Sequence, residues 1–290
     1  MASVATHFTA FLFLCPLGVR RLLCSASLFL QNPSLYRSRM WYFSDPKWKN
    51  LDLYALIICL PIASLSHIFI FLAFSENPTY RFSFLQQSLV VFLFWAVLIF
   101  IILKKSLRLY SVPESFVFIF AGIAFMVESY MCGRGIIGLS GWAYGILGSL
   151  AVFCAACCLY LSIRPSAFFA EYLLSSGIVL KGTWVLQVGF SLHTDAFGFK
   201  GCNKISGMAL AKGGDVDVKC ELEDDMWRGM SLTSLLFVGH VIVVMITSFI
   251  SFGLLSRYTN MRCGEASGQL LAELGSESMM MHALPELELE

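Results

Sequence analysis

Seven separate stretches of this chain stay apolar for about 20 residues, the length at which an α-helix crosses the hydrocarbon of a bilayer. They run 4–19 with an amphipathic continuation to 30, then 52–74, 84–103, 114–132, 141–163, 172–192 and 231–255. Hydrocarbon offers no water to a free peptide group, so segments of this kind fold as helices. The fold class is therefore an all-α membrane protein, a bundle of seven transmembrane helices. Composition agrees, with 58% hydrophobic and 13% charged residues against about 25% charged in soluble proteins. A net charge of +1 gathers no nucleic acid; the partner implied is the lipid bilayer. One membrane domain is expected over 1–256, with a long loop at 193–230. The tail, 257–290, is acidic and short of aromatics, which predicts a disordered segment with His282 solvated.

Residues 8–19 (FTAFLFLCPLGV) resemble the core of a signal peptide, but no basic residue precedes them. They read as a retained first helix, short and ended by Arg20 and Arg21. The fourth helix has a start signal, Ser111-Val-Pro-Glu114, a capping box with proline just inside. Loop charges set the direction. With the N-terminus on side one, that side holds Arg81, Arg134, Lys200, Lys204, Lys212, Lys219 and Arg228. The opposite side holds Arg20, Arg21, Arg37, Arg39, Lys47, Lys49, Lys104, Lys105, Arg108, Arg164, Arg257 and Arg262. The bias predicts a lumenal or extracellular N-terminus and a cytosolic C-terminus, in an endomembrane or the plasma membrane. Trp41, Tyr42 and Trp48 then read as an interfacial aromatic belt.

Two cysteines, Cys202 and Cys220, fall in the long loop on the predicted lumenal side, where disulfides persist. They read either as a bridge or as two free thiols. Cys154-x-x-Cys157-Cys158 lies inside a span and reads as packing. Asn32 and Asn77 are each followed by proline, so no glycosylation site exists. The 211–225 stretch lacks the EF-hand calcium pattern.

With this direction, polar residues gather in the lumenal half of the bundle: His7, His67, Gln86, Gln87, Glu128, Trp142, Tyr144, Gln187 and His240, with Lys181 near the midplane. Charges buried in lipid are costly and face a partner, water or the bundle interior. At about 100° per residue, Lys181, Trp184, Gln187 and Ser191 share a third of the sixth helix. The reading is a polar intramembrane pocket of His7, His67, Gln87, Glu128, Tyr144, Lys181, Trp184, Gln187 and His240, with Lys181 opposite Glu128. The alternative is that these groups only bond helix to helix while Lys181 snorkels. His7, Glu128 and His240 are weak candidates for a metal site; no cofactor is expected. Gly141-x-x-x-Gly145 with Gly148 is a small-residue stripe expected to pack inside the bundle.

The segment LKGTWVLQVGFSL (180–192) resembles the L-Q-G-T-W-F-x-Q-x-G-F motif of the transmembrane protein 45 family, also called domain of unknown function 716 and, in plants, the plant viral-response family. Further matches are His7, NPSLYRSRMW (32–41), VPES (112–115), the Glu128 region and LLFVGH (235–240). The resemblance covers about residues 1–258 and implies seven spans in a family without an established biochemical activity. It also implies more histidines than this chain holds. Gln87 stands where relatives carry one, ESYMCGRGIIGLSGWAY (128–144) lacks the several expected there, and Lys181 replaces the motif glutamine. A lysine standing where relatives hold a cation predicts that Lys181→Gln gains metal binding; an unchanged metal content counts against the idea.

The function expected is a structural or regulatory role without catalysis. One alternative is a transporter or channel for a small polar solute, which the intramembrane lysine and glutamate favour, although no inverted repeat is visible. The other is a membrane-embedded metal-dependent enzyme.

Overall fold

The computed structural model describes residues 4–43, 50–73, 78–107, 113–134, 136, 138–194, 201–204 and 218–282. Seven helices long and apolar enough to cross a membrane make up almost all of it. They are α1 (Val4–Gln31), α2 (Leu51–Ala73), α3 (Pro78–Ser106), α4 (Glu114–Met131), α5 (Gly138–Ile163), α6 (Phe168–His193) and α7 (Glu223–His282). Between α6 and α7 lies a two-stranded antiparallel ribbon, β1 (Cys202–Lys204) and β2 (Val218–Cys220). A single 3-10 turn, Pro33–Leu35, follows α1.

The first helix takes in the amphipathic continuation expected to residue 30. It continues through Pro16 and through Arg20 and Arg21 to Gln31 as one element of 28 residues. The two arginines are therefore part of a helix and not of the loop after it. What carries the helix past them is LLCSASLFL (22–30), free of glycine and proline. At the other end of the chain the backbone of α7 is helical from Glu223 as far as His282. Ser111 lies outside the described residues; α4 has Pro113 as its N-cap and Glu114 in its first turn.

α6 is the centre of the bundle, buried against α1 and α5, with α7 also in contact. The α1–α6 pair lies backbone to backbone because glycines line it. A Cβ at Gly18 would stand 2.7 Å from Val179 Cγ2 and 2.8 Å from the Val179 nitrogen. A Cβ at Gly182 would meet the Cys15 nitrogen at 3.0 Å, and one at Gly189 would reach His7 Cβ at 2.5 Å. Close approach of this sort is how helices gain van der Waals contact where lipid removes the hydrophobic drive. The α5 stripe behaves differently. Gly148 faces Ser129 of α4 and its C-cap Cys132, but Gly145 has nothing within 4 Å. The stripe is thus divided between an interface and an open surface.

α4 packs on α5, α3 on α4, and α2 on α3. The α2–α3 pair is fastened by Ser64 and Ser88, whose hydroxyl oxygens lie 2.9 Å apart, and by Trp95 Nε1 donating to the Ile57 carbonyl at 3.1 Å. α7 is peripheral and leaves Leu235, Val243, Met245 and Phe249 exposed, a surface suited to acyl chains. The ribbon docks on the start of α5, where the Val218 amide donates to Ser140 Oγ at 3.5 Å.

Candidate functional site

The residues expected to form one pocket fall into three groups. The first is the pair at the heart of the bundle. Lys181 of α6 bonds Glu128 of α4 in an ion pair. The lysine side chain is 5% exposed and the glutamate 25%. Phe125 of α4 and Phe94 of α3 bring their rings to 5.1 and 6.0 Å from the ammonium. Those ring faces supply a negative potential that supports a desolvated cation. A charge inside an apolar segment is thus matched by an acid one helix away.

The second group joins α1, α5 and α6. His7 is buried, its Nε2 lies 3.2 Å from the Tyr144 hydroxyl, and its ring is 5.2 Å from that of His193. His193 belongs to this cluster, although the sequence placed it at the start of the 193–230 loop. The third group joins α6 to α5 and α7. Trp184 is fully buried; its Nε1 donates to the Ala143 carbonyl at 3.4 Å, and its ring meets those of Phe237 and His240 edge-on. Gln187 donates to Ser191 on its own helix at 3.1 Å. Trp184, Gln187, Ser191 and Thr233 line a cavity of about 10 Å³, room for a single water molecule.

Two candidates stand apart. His67 and Gln87 belong to the α2–α3 pair; His67 is half-buried and Gln87 is exposed. The shared face on α6 is also divided, since Lys181 turns to α4 while Trp184 turns to α5 and α7. His7, Glu128 and His240 each have different neighbours, and among the described residues no three of His, Cys, Asp or Glu stand close enough to share a metal ion.

A second buried ion pair lies at the opposite end of the α1–α6 interface. Glu171, in the first turn of α6, is fully buried. Arg21 of α1 meets it side on, with Nε 2.7 Å from Oε1 and Nη2 donating to Oε2 at 2.9 Å. Nη1 donates to the Met40 carbonyl at 2.7 Å, and Nη2 donates also to the Arg39 carbonyl at 3.2 Å. Ser38 donates to Oε2 and Tyr42 donates to Oε1 at 3.3 Å. Every charge here is both paired and hydrogen-bonded, the condition for an ion pair to survive burial. Its start-of-helix position adds the favourable end of the α6 dipole.

The segment after α1 closes this end. Tyr36 and Ser38 point inward while Arg37 and Arg39 point outward, an extended alternation. The Ser38 amide donates to the Pro165 carbonyl at 2.7 Å in the α5–α6 turn. Trp41 and Tyr42, expected at a lipid interface, are buried in the bundle; Trp48 lies outside the described residues. Arg20 pairs with Asp52 of α2 and donates to the Tyr42 carbonyl at 2.7 Å. Lys104 pairs with Glu114 at 2.7 Å. Burial, and then the Glu171 carboxylate, push the Tyr42 hydroxyl up to about 12.

Cys202 and Cys220 form a disulfide across the first register position of the ribbon. The other described cysteines are free thiols, among them Cys154, Cys157 and Cys158, buried in α5.

Seven apolar helices around buried, paired charges define a multi-pass membrane protein. The sequence model of a family of unknown function, DUF716, matches residues 114–253, from the start of α4 through the apolar part of α7. No curated protein matches the sequence.

Proposed function

We propose that this protein serves its membrane as a structural or regulatory component without catalysis, and that the groups around Lys181 form its polar intramembrane centre. The observation that carries this reading is the Lys181–Glu128 pair, which fastens α6 to α4 between aromatic rings. The His7–Tyr144 and Trp184–Ala143 contacts of that half also join helix to helix, and the cavity beside Trp184 is of water size. In this proposal the N-terminus and the 193–230 loop face the lumen or exterior, and the chain end faces the cytosol. The Cys202–Cys220 bridge supports that direction, because disulfides persist in oxidising compartments. The relation to the transmembrane protein 45 and plant viral-response groups extends, in the same proposal, to the N-terminal half that carries His7 and NPSLYRSRMW.

Glu128 keeps a quarter of its side chain exposed. That favours a second reading, in which the carboxylate takes part in moving a proton or small cation. Reconstituted vesicles loaded with a pH-sensitive dye separate the two. The structural reading expects no flux attributable to the protein, a loss of thermal stability in Lys181→Met, and recovery in Lys181→Met combined with Glu128→Leu. A proton or potassium flux that disappears in Glu128→Gln overturns it in favour of transport. Epitope tags in the 200–220 loop and at the chain end, probed in sealed vesicles, test the direction.

A further inference from the structure

The end of the bundle closed by residues 36–42 carries a cluster of arginines that the buried pairs leave unused. Arg37 and Arg39 are exposed and stand on either side of Ser38. The Ser38 amide is bonded to the Pro165 carbonyl at 2.7 Å, which brings both beside exposed Arg164. Three exposed arginines from two remote segments thus flank one backbone hydrogen bond. Among the described residues none of the three has an acidic partner. The described carboxylates at this end are all committed elsewhere: Asp52 to Arg20, Glu114 to Lys104 and Glu171 to Arg21.

The neighbours of the arginines are apolar and bare. Leu35, two residues before Arg37, is 79% exposed, and Ile163, immediately before Arg164, is 76% exposed. Ile163 is the last residue of α5, a helix long and apolar enough to span. A large aliphatic side chain next to an unpaired guanidinium, at the end of a spanning helix, is the pattern of a group at headgroup depth, with its stem on acyl chains and its charge among phosphates. Guanidinium is the side-chain group best shaped to hold a phosphate through two parallel hydrogen bonds.

We propose that Arg37, Arg39 and Arg164 form a site for the headgroup of an anionic phospholipid, with Leu35 and Ile163 resting on its acyl chains. The site selects negative headgroups over zwitterionic ones and ties the 36–42 segment to the lipid of its own leaflet. It does not depend on the role given to Lys181.

The test uses the full chain in a neutral detergent doped with phosphatidylserine or phosphatidylcholine, with retained lipid counted by native mass spectrometry. Wild type should retain phosphatidylserine in preference, and the preference should fall as salt rises. The combined Arg37→Gln, Arg39→Gln and Arg164→Gln variant should lose it by up to roughly a hundredfold. Arg134→Gln, which alters an exposed arginine stacked on Tyr130, should leave it unchanged. Equal retention of the two lipids by wild type overturns the proposal, as does a triple variant that keeps the preference. Inorganic phosphate that displaces the lipid at equal concentration also overturns it, because the site would then be one for free anions. Should the triple variant not fold, the salt titration of wild type decides, and a preference indifferent to salt overturns the proposal.

Discussion

Removing Arg21 tests whether the α1–α6 interface depends on its buried charges. Arg21→Met keeps a side chain of similar reach and deletes the guanidinium. It removes both contacts to Glu171, at 2.7 and 2.9 Å, and both carbonyl contacts, at 2.7 and 3.2 Å. Glu171 stays fully buried, with only Ser38 and Tyr42 as donors. A buried charge deprived of its partner costs about 3–5 kcal/mol. For a chain of this size that corresponds to a fall of roughly 6–20 °C in melting temperature. Arg21→Met combined with Glu171→Leu removes both charges and should cost less than either single change, because no isolated charge remains. Tryptophan fluorescence of the detergent-solubilised protein during heating gives all three values. If Arg21→Met lies within about 1 kcal/mol of wild type, the range of an exposed pair, the pair is not structural. Single losses that simply add in the double variant refute the reasoning in the same way.

Gly18→Ala puts a methyl group 2.7 Å from Val179 Cγ2, so the α1–α6 pair must separate, at a cost of about 1–3 kcal/mol; Gly145→Ala enters open space and should be neutral or slightly stabilising. Both are read as melting temperatures in one detergent. Cys202→Ser opens the bridge that spans 18 residues of sequence and should cost about 3 kcal/mol; labelling of Cys202 and Cys220 by a thiol reagent only after reduction checks the bridge in the intact protein. The Tyr42 hydroxyl, pushed up to about 12, keeps its proton in the folded state where the unfolded chain, near 10, releases it. Its contribution is complete below about pH 10 and is lost as pH rises through about 12. Tyr42→Phe should flatten that part of an alkaline unfolding curve.

The spans were legible because about 20 apolar residues in a row admit few other folds. The Lys181–Glu128 juxtaposition was legible for a related reason, since a lone base and a lone acid inside apolar segments each need an opposite charge. What was not legible is azimuth. α3 is apolar on nearly every side, so its pattern carries no direction, and Gln87 turned out exposed. The Arg21–Glu171 pair was missed because Arg20 and Arg21 resemble the basic stop that ends a span. The signal lay in LLCSASLFL after them, which continues the helix and draws the arginines inside it. Trp41 and Tyr42 were misread for the same reason. An aromatic beside a basic cluster suits a lipid interface, and the partners supplied by Arg20, Arg21 and Glu171 help bring this stretch into the bundle.

Arg21 and Glu171, the two halves of one cation–anion latch, lie 150 positions apart along the chain. At a ribosome speed of about 5–20 residues per second, Arg21 is made roughly 8–30 s before Glu171 exists. During that interval a naked guanidinium on a nascent first span has no lawful place in hydrocarbon. The insertion machinery, or the aqueous rim of the membrane, has to shelter it until α6 arrives, so α1 is a late settler despite emerging before its partner.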